Sequence, residues 1–240
     1  MNSAAAHPFV PNSDGSDSSI APAWHTAIVL VLMLGISVIG ARLDLRGVIA
    51  THSRVPSYLF VVVIEWATVA FIRWGLVRGG IRLSDVVGGR WARSIDVLRD
   101  LGIGIAFIVI FGGAVQGLSS MLKVTPPHNM LAMLPQTWAE MIAWVLLSLT
   151  AGFCEEVIFR GYLRRQFAAL THSLAGGIVL QAIVFGLSHG YQGWKLMFLI
   201  AIYGACFGLL AHWRRSLRPG MIGHGLQDTA GGLLAHFLMT

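Results

Sequence analysis

The chain has 240 residues, 55% of them hydrophobic and 12% charged, with a mean hydropathy of +0.70. A soluble domain carries about 25% charge, so a soluble enzyme, a disordered chain and a disulfide scaffold are all excluded, and a membrane protein remains. The net charge of +6 does not point to nucleic acid, because the 17 Lys and Arg residues sit at the ends of apolar segments rather than on one polar face.

Residues 1–23 are rich in Ser, Ala, Pro and Asp, contain no Lys or Arg, and read as a flexible tail. A secretory leader needs a basic start that this tail lacks, so residues 24–41 read as a retained first span. Hydropathy places seven spans at about 24–41, 56–76, 98–119, 137–160, 174–190, 194–212 and 219–239, with an eighth allowed. All are expected to be helices, because apolar runs in lipid must close their backbone hydrogen bonds internally and no barrel-like alternation occurs. The fold class is an all-α polytopic membrane bundle, divided into the tail, a second part over 24–136 and a third over 137–240.

Tryptophans 24, 74, 138, 194 and 213 fall at span ends, as an aromatic belt requires. Gly113 with Gly117, Gly186 with Gly190 and Gly204 with Gly208 have the spacing of close helix packing. The segment from Arg78 to Arg99 interleaves Arg and Asp with Leu, Val and Ile and is expected to lie along the cytoplasmic surface. Alternate connections carry 12 Lys and Arg against 5 in the others, which puts the N-terminus in the cytoplasm and the C-terminus outside. Cys154 and Cys206 lie inside apolar stretches and say little about redox compartment.

Ionisable groups within spans are functional candidates because lipid disfavours them. Glu156 and Arg160 are four residues apart, an ion-pair spacing. Successive helical residues diverge by about 100°, so Glu155 is expected to point elsewhere and to need a partner from another helix. Glu155 lies 17 residues before His172 and His189 lies 17 after it, so a continuous helical hairpin would bring the two to equal depth. His224 and Asp228 share a helix face, where the carboxylate can fix the imidazole tautomer. Glu65 in the second span reads first as an interhelical contact, and Cys154 as an inert buried thiol.

These residues carry a resemblance. EEVIFR at 155–160 resembles an EExxxR motif, FGLSH at 185–189 an FxxxH motif and HGLQD at 224–228 an HxxxN/D motif, in the order found in the CPBP family of CAAX-protease and bacteriocin-processing intramembrane proteases. The resemblance covers about residues 140–235 and implies an endopeptidase with a membrane-sunk site reached from the cytoplasmic side. It implies that Glu155 and His189 activate a water, that His224 and residue 228 stabilise the oxyanion, and that Glu156 and Arg160 support the site. An ionised Asp228 cannot donate to an oxyanion, so either it is protonated or it orients His224. Zinc on Glu155, His189 and His224 and a metal-free glutamate mechanism both stay open, since no HExxH is present.

The expected partners are a lipid bilayer and a membrane-protein or peptide substrate, with no nucleic acid, in a bacterial plasma membrane; the oligomeric state stays open. Prenylated CAAX substrates are not expected in a chain of prokaryotic style. The alternative function is non-enzymatic: a bacteriocin self-immunity or membrane binding protein of the same family. A carboxylate proton relay is a third reading, and it requires broken helices and an internal repeat.

Overall fold

The computed structural model describes residues 19–42, 53–125 and 128–239. Residues 1–18 of the expected tail, and Arg46 in the first connection, lie outside the described residues. Nine helices run α1 Ala23–Arg42, α2 Val55–Arg78, α3 Leu83–Val87, α4 Ser94–Met121, α5 His128–Ala132, α6 Trp138–Thr171, α7 Leu174–Ser188, α8 Trp194–Arg214 and α9 Arg218–Met239, with no strand among the described residues. All seven predicted spans are helical. By length and composition, α2, α4, α6 and α8 can each cross a membrane, while α1 and α7 are shorter apolar helices.

Local sequence sets the helix starts. Thr137 and Glu140 form a reciprocal cap on α6: the Glu140 amide donates to Thr137 Oγ1 and the Thr137 amide to Glu140 Oε2, each at 3.3 Å. Pro56 opens α2, where a missing N–H is harmless. Ser173 Oγ caps α7 by accepting from the Gly176 amide at 3.2 Å. The turn before it is sharp because His172 adopts a left-handed φ of 50°.

α6 lies at the centre of the bundle. It packs against α2 and α9, its C-terminal third packs against α7, and α7 in turn packs against α8. The main core surrounds the middle of α6, where Val157, Ile158, Phe159, Tyr162 and Leu163 are sealed by Ile72, Leu76, Val86 and Leu217. A smaller core of Phe107, Tyr203, Phe207 and Leu210 joins α4 to α8. Large apolar side chains elsewhere face outward, Val31 at 71%, Phe60 at 63% and Ile142 at 73% exposure, as lipid-facing helices require. The five tryptophans assigned to an aromatic belt are all exposed near helix ends.

The Arg-rich connections gather at one end. Ser216 Oγ and the Leu217 amide both donate to the Val87 carbonyl, and Arg214 reaches Asp100 at 3.3 Å. The segment between Arg78 and Arg99 does more than lie on a surface: Val86 is fully buried, and a Cβ on Gly161 of α6 would stand 2.6 Å from it. At the same end Ile20 and Ala21, assigned by sequence to the tail, are buried, and their amides donate to Gln166 Oε1 at 2.8 and 3.3 Å. Two of the three glycine pairs pack closely, but Gly113 and Gly117 do not: a Cβ on either would meet nothing within 4 Å among the described residues.

Candidate active site

The site forms where the middle of α6, the C-terminal end of α7 and the first half of α9 come together. Glu155 ends the first α-helical stretch of α6, and residues Glu156–Leu163 continue as a π-helix, every one of them buried. Such wide turns recur at functional sites. Here the change of winding alters the sequence-based expectation that Glu155 and Glu156 point to different partners, since both reach the same imidazole.

That imidazole is His224, which lies against three carboxylates. Its Nδ1 is 3.3 Å from Glu156 Oε1, and its Nε2 is 3.4 Å from Asp228 Oδ2 and 3.6 Å from Glu155 Oε2. The four-residue spacing of His224 and Asp228 thus gives the expected contact. Three glycines let α9 come this near. A Cβ on Gly152 would lie 2.6 Å from the Gly225 nitrogen, and one on Gly220 would lie 2.9 Å from Glu156 Oε2. Trp144 Nε1 donates to the Asp228 carbonyl at 2.8 Å and fixes the far side of the same contact.

The expected pair of Glu156 and Arg160 is present at 3.1 Å, both side chains fully buried. Sequence spacing does not show what surrounds Arg160. Its guanidinium lies over Phe185 at 4.1 Å, Phe207 at 5.0 Å and Phe159 at 5.9 Å. These faces attract a cation that water cannot reach. Phe185, four residues before His189, therefore does more than fill space, and the signal that could have found it is its place in FGLSH.

His189 caps the C-terminus of α7. Eight of the residues between Glu155 and His172 are wound as a π-helix, so the equal sequence spacing of Glu155 and His189 from His172 does not carry over to equal depth. The hydrogen bonds of His189 are local: Nδ1 donates to the Phe185 carbonyl at 2.8 Å and stands 3.2 Å from Ser188 Oγ. A proton held on Nδ1 leaves the lone pair on Nε2, the form that accepts a proton. The contact to Glu155 from another helix comes from His224 on α9.

Two further groups join this region. Glu65 on α2 is buried, its Oε2 has no hydrogen-bond partner among the described residues, and its electrostatic neighbours are Glu155, His224 and Asp228. Tyr191, two residues after His189, stacks on that imidazole at 6.1 Å. Nothing in the local sequence ties position 65 to position 155. Cys154 is fully buried in the core behind them.

Among the described residues no group of three or more His, Cys, Asp or Glu side chains is arranged to hold a metal ion.

Residues 137–230 match the family model described as Rce1-like, type II CAAX prenyl endopeptidase. No curated protein and no solved structure matches the chain. The matched segment contains Glu155, Glu156, Arg160, His189, His224 and Asp228, and excludes Glu65. In this integral membrane protein, residues 137–230 are therefore an Rce1-like domain of the CPBP family, a family of intramembrane endopeptidases.

Proposed function

We propose that the chain hydrolyses peptide bonds of membrane-associated substrates with a water activated by Glu155. The observation that carries this reading is the position of Glu155: its side chain is 17% exposed, its Oε2 has no hydrogen-bond partner among the described residues, and it faces His224 at 3.6 Å. A carboxylate that is held in place and not fully committed to a partner suits a general base.

In the proposed reaction the water oxygen attacks the scissile carbonyl carbon while Glu155 takes the water proton, assisted by the Nε2 lone pair of His189. The carbonyl oxygen gathers negative charge. His224, with carboxylates beside both ring nitrogens, suits the doubly protonated form, whose positive charge would stabilise the oxyanion. Collapse breaks the C–N bond, and the proton held by Glu155 passes to the leaving amine. Asp228 orients His224 through Nε2, a role that requires no donor hydrogen on the carboxylate. Glu156 and Arg160 keep the π-helical turn in place, and no step is routed through a metal.

The gathering of the basic connections at one end of the bundle supports an N-terminus on the cytoplasmic side of a bacterial plasma membrane. The mechanism is tested by exposing a membrane-peptide library to the protein in nanodiscs, comparing wild type, Glu155→Ala and chelator-treated samples. Cleavage that is lost in Glu155→Ala and unaffected by chelator is expected. Identical products from wild type and Glu155→Ala sink the assignment, and loss of cleavage on chelation with recovery on adding zinc makes it a metalloprotease.

A further inference from the structure

The hydrolytic roles leave a buried hydroxyl on α1 unused. Ser37 is 5% exposed, although Ile36, Val38 and Ile39 beside it all face outward. A hydroxyl turned inward from an apolar helix costs free energy unless it is hydrogen-bonded, and this one is bonded twice. Ser37 Oγ donates to the Leu187 carbonyl at 2.9 Å and accepts from the Gly190 amide at 3.2 Å. α1 lies outside the matched segment, while both partners lie within it.

Leu187 and Gly190 bracket His189. One hydroxyl therefore ties the chain on both sides of that imidazole to a separate helix. Gly190 is what admits it: a Cβ there would stand 3.3 Å from Ser37 Oγ, tighter than an ordinary contact. α1 packs along this end of α7 and along the short turn Gly190–Gln192 that follows it.

The other restraints on the His189 ring come from its own helix. Nδ1 donates to the Phe185 carbonyl at 2.8 Å, and the ring meets Phe185 edge to face at 4.8 Å. These contacts orient the imidazole relative to α7, and packing against α8 seats α7 as a whole. At His189, however, the chain leaves the helix, with φ −103° and ψ 17°. The carbonyls of a last helical turn have no amide ahead of them to bond, and helix ends fray. The two bonds to Ser37 hold the backbone at the point where the ring is attached.

We propose that Ser37 is a positioning residue for His189: by clamping the backbone on either side, it fixes where Nε2 stands when Glu155 takes the water proton. The clamp stands on its two hydrogen bonds, while its consequence for catalysis rests on the endopeptidase reading and the role that reading gives His189. Misplacing a catalytic group by about 1 Å costs up to about 100-fold in rate. Loss of the clamp therefore lowers kcat, whereas a hydroxyl that only joined two helices would contribute to stability alone.

Two measurements on the full chain in nanodiscs test it. The first needs no substrate. Hydrogen exchange of the Gly190 amide is expected to quicken about tenfold in Ser37→Ala, the scale of one hydrogen bond, and unchanged exchange at residue 190 overturns the clamp. The second is cleavage of a peptide that the wild type cuts, compared across wild type, Ser37→Ala and Gln166→Ala, the last of which frees the other end of α1. Ser37→Ala is expected to lower kcat about tenfold with KM within about twofold of wild type, and Gln166→Ala to leave kcat near wild type. An unchanged kcat in Ser37→Ala, or an equal fall in both variants, overturns the positioning role and leaves the endopeptidase reading intact. Identical products from wild type and Glu155→Ala overturn that reading and the positioning role with it, while the exchange result still decides the clamp.

Discussion

Glu155 and His224 stand 3.6 Å apart because the helices that carry them meet glycine to glycine, Gly152 of α6 against Gly225 of α9. A Cβ at residue 152 would lie 2.6 Å from the Gly225 nitrogen and 2.8 Å from the Met221 carbonyl oxygen. Both obstacles are backbone, so no side chain can rotate away and α9 itself must shift. Gly152→Ala is expected to lower stability by about 1–3 kcal/mol and to suppress cleavage by parting Glu155 from His224. Gly113→Ala, where a Cβ meets nothing within 4 Å, should hold or gain stability. Thermal unfolding and peptide cleavage of the two variants, measured side by side, separate a specific helix contact from a general effect of losing glycine.

The contrast between those two glycines shows where sequence reading stops. Spacing alone gives Gly113 and Gly117 the same standing as Gly204 and Gly208, yet among the described residues only the second pair has a helix against it. What was legible is what one helix settles for itself: the seven apolar segments, the four-residue contact of His224 with Asp228, and the pairing of Glu156 with Arg160. The π-helical winding of Glu156–Leu163 was not legible, because no residue in EVIFRGYL demands it and the change shows only in the packed helix. Glu65 was legible as an acid within a span, but its nearness to Glu155 was not. Its place beside Glu155 depends on how α2 lies against α6, which is a property of tertiary packing and leaves no local mark.

The buried pair of Glu156 and Arg160 should reveal its worth through single and double substitution. Removing one partner leaves the other charge without its counterion in a dry core, a loss of about 3–5 kcal/mol. Glu156→Gln and Arg160→Met are each expected to destabilise on that scale. The double variant should recover part of the loss, because no lone charge remains and methionine can fill the space among Phe159, Phe185 and Phe207. Strictly additive losses in a double-mutant cycle would show that the two side chains do not act as a pair.

Asp228 offers a test of orientation against donation. Its Oδ2 stands 3.4 Å from His224 Nε2, and its backbone carbonyl is held separately by Trp144. Asp228→Asn keeps an acceptor oxygen for the imidazole and is expected to retain cleavage within about tenfold of wild type. Asp228→Ala removes that acceptor and should reduce kcat by about 10–100-fold, the usual effect of losing a group that orients a catalytic histidine. Equal loss in both variants would mean that the carboxylate charge matters beyond its hydrogen-bonding geometry.

Gln166 predicts an effect on stability without one on chemistry. Its Oε1 accepts from the amides of Ile20 and Ala21, while its Nε2 donates to the Ala21 carbonyl at 2.8 Å and to Thr26 Oγ1 at 2.6 Å. One side chain thus clips the start of α1 to the end of α6. It lies 11 residues beyond Glu155, on the far side of the π-helical stretch, too far to touch the proposed reaction. Gln166→Ala is expected to leave kcat near the wild-type value and to speed hydrogen exchange of the amides at residues 20 and 21. The loss of several buried hydrogen bonds should lower stability by about 1–3 kcal/mol. Fast exchange confined to those amides, with cleavage intact, would identify the clip as an anchor for α1; a parallel fall in cleavage would mean that the seating of α1 is transmitted along α6 to Glu155.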